Sequence, residues 1–161
     1  MLLCLAAICR DARAQFTFDP SIKVEGVGFP GNLAIGDFDN NGYKDMAYIS
    51  VNDGELHVLY NNGSYTFTST TRSADAGGVN YTYQLAAADF NEDGKSDLAI
   101  VSKNSSDHRL VIWISTGSSF TKSNFSIPGP GDIYSISTED FDNDGHADVL
   151  APNFEQALTW Y

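Results

Sequence analysis

The sequence predicts an all-β chain built from three copies of a four-stranded antiparallel unit. Three observations lead there. An acidic nine-residue segment recurs at residues 37–45, 89–97 and 140–148, with first residues 52 and 51 positions apart. Short runs rich in β-branched and aromatic residues flank each copy, bounded by Gly, Asn, Asp and Ser, as strands are. No stretch sustains a helical period.

The strands follow in order within each unit. A first strand precedes the acidic segment: Leu33-Ala34-Ile35, Leu85-Ala86-Ala87 and residues 133–136. A second follows it, at 46–49, 98–101 and 149–151. A third covers 55–60, 109–114 and 156–161, with Trp113 and Trp160 expected at equivalent core positions. Asn61-Asn62-Gly63 and Thr116-Gly117-Ser118 read as hairpin turns, leading to fourth strands at 65–70 and 120–125.

Four strands in ~40–50 residues is the period of a β-propeller blade. Phe16-Thr17-Phe18 aligns with a fourth strand and the chain closes on a third, so the N-terminal strand can complete the last unit and cover a free edge. Three units are fewer than the ~4–8 of a closed ring. The expectation is therefore a partial propeller: blades of a longer chain, half of an oligomeric propeller, or an open stacked array. The first is slightly favoured.

The nine-residue segment carries the chemistry. Positions 1, 3 and 5 hold Asp or Asn in every copy, position 6 is Gly, and position 9 is Asp. Oxygen donors at alternate positions can curl round one hard cation, with the position 7 carbonyl and the last carboxylate completing the shell. The candidate ligands are Asp37, Asp39, Asn41, Tyr43 and Asp45 in loop 1; Asp89, Asn91, Asp93, Lys95 and Asp97 in loop 2; and Asp140, Asp142, Asp144, His146 and Asp148 in loop 3. Tyr43, Lys95 and His146 enter through their backbone carbonyls. Gly42, Gly94 and Gly145 supply the positive φ of a tight curl. Phe38, Phe90 and Phe141, at position 2, are expected to point away from the ion into the core. All-oxygen donors select calcium over transition metals, and magnesium demands a tighter octahedron. An EF-hand needs Glu at position 12 between helices. Tyr48, Ile100 and Ala151 stand there, among strands, which excludes it.

These residues resemble the FG-GAP and VCBS repeats of integrin-alpha-type β-propellers, over about residues 16–161. The resemblance implies that each loop joins the first two strands of a blade and binds calcium, about three ions in all, in a structural role. Asn41 and Asn91 replace the usual Asp and lose a charge, so loop 3, with four carboxylates, is ranked tightest. The Gly-Ala-Pro triplet of the family name is absent; Phe29-Pro30-Gly31 and Pro128-Gly129-Pro130-Gly131 take similar places.

The net charge of −12, from 21 acidic and 9 basic residues, opposes a nucleic-acid partner or an anionic membrane surface. Eleven of the acidic residues lie in the three loops. Leu2–Cys9 is an apolar run of eight, too short to span a bilayer. With Ala12-Arg13-Ala14 it reads as a signal peptide over residues 1–14, which leaves 15–161 as the mature repeat domain. No basic n-region precedes it. Both cysteines, Cys4 and Cys9, fall inside that leader, so the mature chain has no disulfide or thiolate chemistry. His57, His108 and His146 lack a nucleophile at recognisable spacing, and no phosphate-binding Gly loop occurs. Four sequons, at Asn62, Asn80, Asn104 and Asn124, are glycan acceptors in a eukaryotic source.

The resulting expectation is a secreted, non-enzymatic, calcium-stabilised module for extracellular binding or adhesion, periplasmic or surface-bound in a bacterium. Its ligand is an extracellular protein or a glycan. The alternatives are a lectin propeller, or the non-catalytic propeller of a larger polysaccharide-active enzyme.

Overall fold

The computed structural model describes residues 30–50, 54–64, 66–72, 83–103, 108–126, 135–152 and 159–160. The predicted leader and the Phe16–Phe18 strand lie outside them. Among the described residues there is no helix. The described residues contain eleven strands in three antiparallel sheets. Unit one is β1 (Pro30–Gly36), β2 (Asp45–Ser50), β3 (Leu56–Asn61) and β4 (Phe67–Arg72). Unit two is β5 (Tyr83–Ala88), β6 (Asp97–Lys103), β7 (His108–Ser115) and β8 (Phe120–Ser126). Unit three is β9 (Ser137–Glu139), β10 (Asp148–Ala151) and β11 (Thr159–Trp160). Within each sheet the spatial order follows the chain, and the three sheets do not close into a ring. β1 lies beside β5, and β5 beside β9, so the first strands form the inner row of a set of propeller blades.

The apolar runs explain the stacking. In unit two, Leu98, Ile100, Val111 and Trp113 face unit one, where they join Ala34, Ala47, Ile49, Leu56 and Val58. The intervening residues Ala99, Val101, Leu110 and Ile112 face the other way and join Val149 and Ala151 of unit three. A strand buried on both faces reads as a continuous apolar run rather than an alternating one, which is what Leu98–Val101 and Leu110–Ile114 show. Each such side chain contributes roughly 1.5–3 kcal/mol on leaving water. Gly36 is required at the junction, because a Cβ there would lie 2.5 Å from the Ser96 Cβ of unit two.

Two sequence expectations need correcting. The described first strand of unit three is Ser137–Glu139, directly before its loop; residues 135–136 of the expected 133–136 are not strand, and 133–134 lie outside the described residues. The apolar residues Ile133 and Ile136 drew the expectation upstream, while β9 itself is polar and pairs through its backbone with β10. Trp160 is also not equivalent to Trp113. Trp113 pairs with Leu98, the residue after the loop's final Asp, whereas Trp160 pairs with Leu150, two residues after it. That is one register step, which in a strand exchanges the two faces.

Candidate metal centre

Each acidic loop joins the first two strands of its sheet and folds on its own side chains. In loop 1, Asp37 accepts hydrogen bonds from the amides of Asn41 (3.0 Å to Oδ1) and Gly42 (2.9 Å to Oδ2). Asp89 receives Asp93 and Gly94 at 3.1 and 2.8 Å, and Asp140 receives Asp144 and Gly145 at 3.1 and 3.0 Å. The position 5 side chain accepts from the position 7 amide in all three: Tyr43 to Asn41 at 2.8 Å, Lys95 to Asp93 at 2.9 Å and His146 to Asp144 at 2.9 Å. The glycines have φ of 87, 85 and 95°, as the tight curl requires. Position 4 is also left-handed: Asn40, Glu92 and Asn143 have φ of 58, 58 and 61°. Asn tolerates that region better than Glu. Sequence reasoning missed this position, although Asn in two of three copies was the available signal.

Position 9 does more than close a shell. Asp45 and Asp97 are both fully buried. Asp45 Oδ2 accepts the Phe38 amide at 2.8 Å and its Oδ1 accepts the Asn61 amide at 2.7 Å. Asp97 repeats the pattern with Phe90 at 2.9 Å and Ser115 at 2.7 Å. Asp148 accepts the Phe141 amide at 3.0 Å. In units one and two the last carboxylate thus clamps the loop to the end of the third strand.

Acidic oxygens converge in two of the loops. Asp37, Asp39 and Asp45 each offer an oxygen within 4.8 Å of the others, and so do Asp140, Asp142 and Asp144. Two carboxylates at ~5 Å repel by about 3 kcal/mol at an effective dielectric of 20, and by about 1 in water. A divalent ion relieves that repulsion. An oxygen that already accepts one amide keeps a second lone pair for the ion, so the donor set fits a hard oxygen-seeking cation. Loop 2 differs. Asn91 takes one carboxylate away, and the Lys95 ammonium sits on Asp93 Oδ2 at 2.9 Å. That contact holds the Asp93 carboxyl below the usual range.

His146 is exposed, as expected from its position, but it also pairs through Nδ1 with Glu92 of loop 2. The Glu92 carboxylate raises the imidazole above its ordinary value. His57 stacks on Tyr48 with ring centroids 4.9 Å apart.

Burial pushes the Asp45 and Asp97 carboxyls above the usual aspartate range, against the amide hydrogen bonds that pull them down. The folded metal-free chain therefore holds those protons more tightly than the unfolded chain. The stability this lends is complete below the ordinary aspartate value and is lost as pH rises through the folded value. Calcium competes for the same carboxylates. The calcium-induced rise in melting temperature is expected to be larger at about pH 7.5 than at about pH 5, as read by scanning calorimetry.

Fold and loops together define a repeat of propeller type whose blades are joined to acidic oxygen-donor loops. The FG-GAP-like repeat profile matches twice, over residues 37–100 and 89–151, and the chain belongs to that family. It is 31% identical over 130 residues to cartilage acidic protein 1 of Xenopus tropicalis, covering 75% of this chain and 19% of that protein. It is 33% identical over 110 residues to human cartilage acidic protein 1, covering 63% of this chain and 16% of that protein. The mouse protein of the same name matches to the same extent. The chain thus spans less than a fifth of the length of these relatives. Among the described residues no helix is long and apolar enough to cross a membrane, a statement that leaves β-barrels aside.

Proposed function

We propose that this chain is a calcium-stabilised, non-catalytic, secreted module for extracellular binding or adhesion, in which the ion locks each loop to its blade. The observation that carries the reading is the pair of three-carboxylate sets, each gathered within 4.8 Å. Family membership supports it, and so does the name of the relatives, which places an acidic protein in cartilage. Asp37, Asp39 and Asp45, and Asp140, Asp142 and Asp144, would hold the ions. Bound calcium supplies charge neutralisation and cross-linking of the loop. The position 7 carbonyls of Tyr43, Lys95 and His146 and the amide oxygen of Asn41 are further donors in this reading. Loop 2, with Asp89, Asn91, Asp93 and Asp97, is the weakest site.

Calcium is expected to raise the melting temperature and EDTA to lower it. One site at a hundredfold excess over its Kd contributes about 2.7 kcal/mol. No shift at saturating calcium would falsify the reading. Calorimetric titration is expected to resolve two tighter sites and one weaker one. Lys95→Ala, which frees Asp93, is expected to tighten the weak site severalfold. Weaker binding after that change would contradict the assignment of Lys95 as a competing cation.

A glycan ligand has one observation in its favour. A cleft of about 340 Å³ opens between units two and three at the loop end, lined by Asp89, Thr138, Glu139, Asp140 and His146. Polar side chains of this kind can hydrogen-bond sugar hydroxyls. A glycan array compared with binding to matrix proteins separates the two ligand classes.

A further inference from the structure

Loops 1 and 2 are tied together at the residues that would hold their ions. Ser96 stands at position 8 of loop 2, between Lys95 and Asp97, two candidate donors of that loop. It holds Asp37, the first candidate donor of loop 1, by both backbone groups. The Ser96 amide donates to the Asp37 carbonyl at 2.8 Å, and the Asp37 amide donates to Ser96 Oγ at 3.1 Å. A second route runs beside the first. Asp97 Oδ1 accepts the Ser115 amide at 2.7 Å, and the Ser115 hydroxyl donates to the Phe38 carbonyl at 2.5 Å. Phe38 lies between Asp37 and Asp39, and its ring packs on Phe120 of unit two. The Asn40 side chain of loop 1 also lies against Gly94 of loop 2, where an added Cβ would stand 3.1 Å from its Nδ2.

Loops 2 and 3 are joined differently. Position 8 of loop 3 is Ala147, which has no hydroxyl to accept an amide. Thr138 Oγ1 crosses this joint instead and donates to the Ala87 carbonyl at 3.0 Å, two residues before the first candidate donor of loop 2. Glu92 and His146 pair across the same joint with both side chains exposed, where an ion pair contributes little.

We propose that loops 1 and 2 take up calcium as a coupled pair, with Ser96 and Ser115 as the positioning residues that join them, while loop 3 binds independently of Ser96. The coupling rests on the calcium reading of these loops. With calcium held by the Lys95 carbonyl and the Asp97 carboxylate, Ser96 is fixed between them. Ser96 in turn fixes the backbone of Asp37. Loop 1 then has less freedom left to lose when it binds, which is positive coupling without a change of fold. Linkage makes the effect mutual: occupancy of loop 1 favours loop 2 by the same factor.

The test is a calcium titration of the full, isotope-labelled chain followed by NMR. The amides of Gly42, Gly94 and Gly145 each donate to the position 1 carboxylate of their own loop, so each reports one site. Ser96→Ala removes the hydroxyl alone, and alanine already stands at that position in loop 3. It is expected to raise the calcium midpoint at Gly42 about fivefold and to leave Gly145 unchanged. Asp93→Asn removes a carboxylate from loop 2 and copies Asn41 of loop 1. It is expected to raise the midpoint at Gly42 as well as at Gly94. Thr138→Ala cuts the bond at the other joint and is expected to leave Gly42 unchanged. If none of the three glycine amides responds to saturating calcium, the calcium reading falls and the coupling falls with it. If they respond, and Gly42 keeps its midpoint in Ser96→Ala or in Asp93→Asn, the coupling alone is overturned. Equal shifts at Gly42 and Gly145 in Ser96→Ala overturn it too, as does a Gly42 shift in Thr138→Ala as large as that in Ser96→Ala, because a general loosening of the chain would produce both.

Discussion

Phe38→Ala is expected to cost about 3–5 kcal/mol, the range for truncating a fully enclosed aromatic ring. The ring sits with Leu98, Ile100, Val111 and Trp113 of the next unit, and its loss opens a cavity between two sheets rather than within one. Urea unfolding measures the loss. Phe141→Ala under the same conditions is expected to change stability by less than about 0.5 kcal/mol, as exposed substitutions do. The two residues hold the same place in the repeat, so their difference isolates the joint from the loop. Equal losses would show that the phenylalanine acts within its own unit.

Asp97→Ala is the second large effect. Both oxygens of this buried carboxylate hold backbone amides, those of Phe90 and Ser115. Leaving two buried donors unsatisfied costs roughly 1–3 kcal/mol each, so about 2–6 kcal/mol in all. Relief of the desolvated charge offsets part of this. Asp97→Asn keeps one acceptor and is expected to lose about half as much. The loss must persist in EDTA, because these bonds form without metal. Asp142→Ala is the contrast: its cost is expected only when calcium is present. If Asp97→Ala were silent in EDTA and harmful only in calcium, position 9 would act as a ligand alone and not also as a clamp.

Much of this molecule was legible in its residues. The loop spacing located the first two strands of units one and two, and the runs 98–101 and 110–114 marked strands because they are apolar throughout. Gly63 and Gly117 marked the hairpins, and both have positive φ, of 79 and 89°. What escaped was set by tertiary contact. Phe38, Phe90 and Phe141 are identical in sequence, and only the presence of a neighbouring sheet separates a buried ring from an open one. The clamp made by Asp45 and Asp97 is hidden in one dimension, because the Asn61 and Ser115 amides they bind lie 16 and 18 residues further on. Lys95 follows Gly94 as Tyr43 follows Gly42, yet only the lysine reaches back to neutralise its own loop. The strand of unit three was misplaced because burial, not pairing, guided the expectation.

The Phe38 ring reaches out of its own unit to pack against Phe120 of unit two, with centroids 5.9 Å apart, and this bears on how pieces of such proteins are produced. The period of the sequence and the period of the contacts are out of phase: each repeat ends in one unit while its aromatic plug is housed in the following one. A gene boundary drawn in the gap after β4 separates Phe38 from Phe120 and leaves a bare ring on one product and an empty recess on the other. Recombinant fragments cut at repeat edges should therefore precipitate, whereas fragments that keep the acceptor sheet should remain in solution.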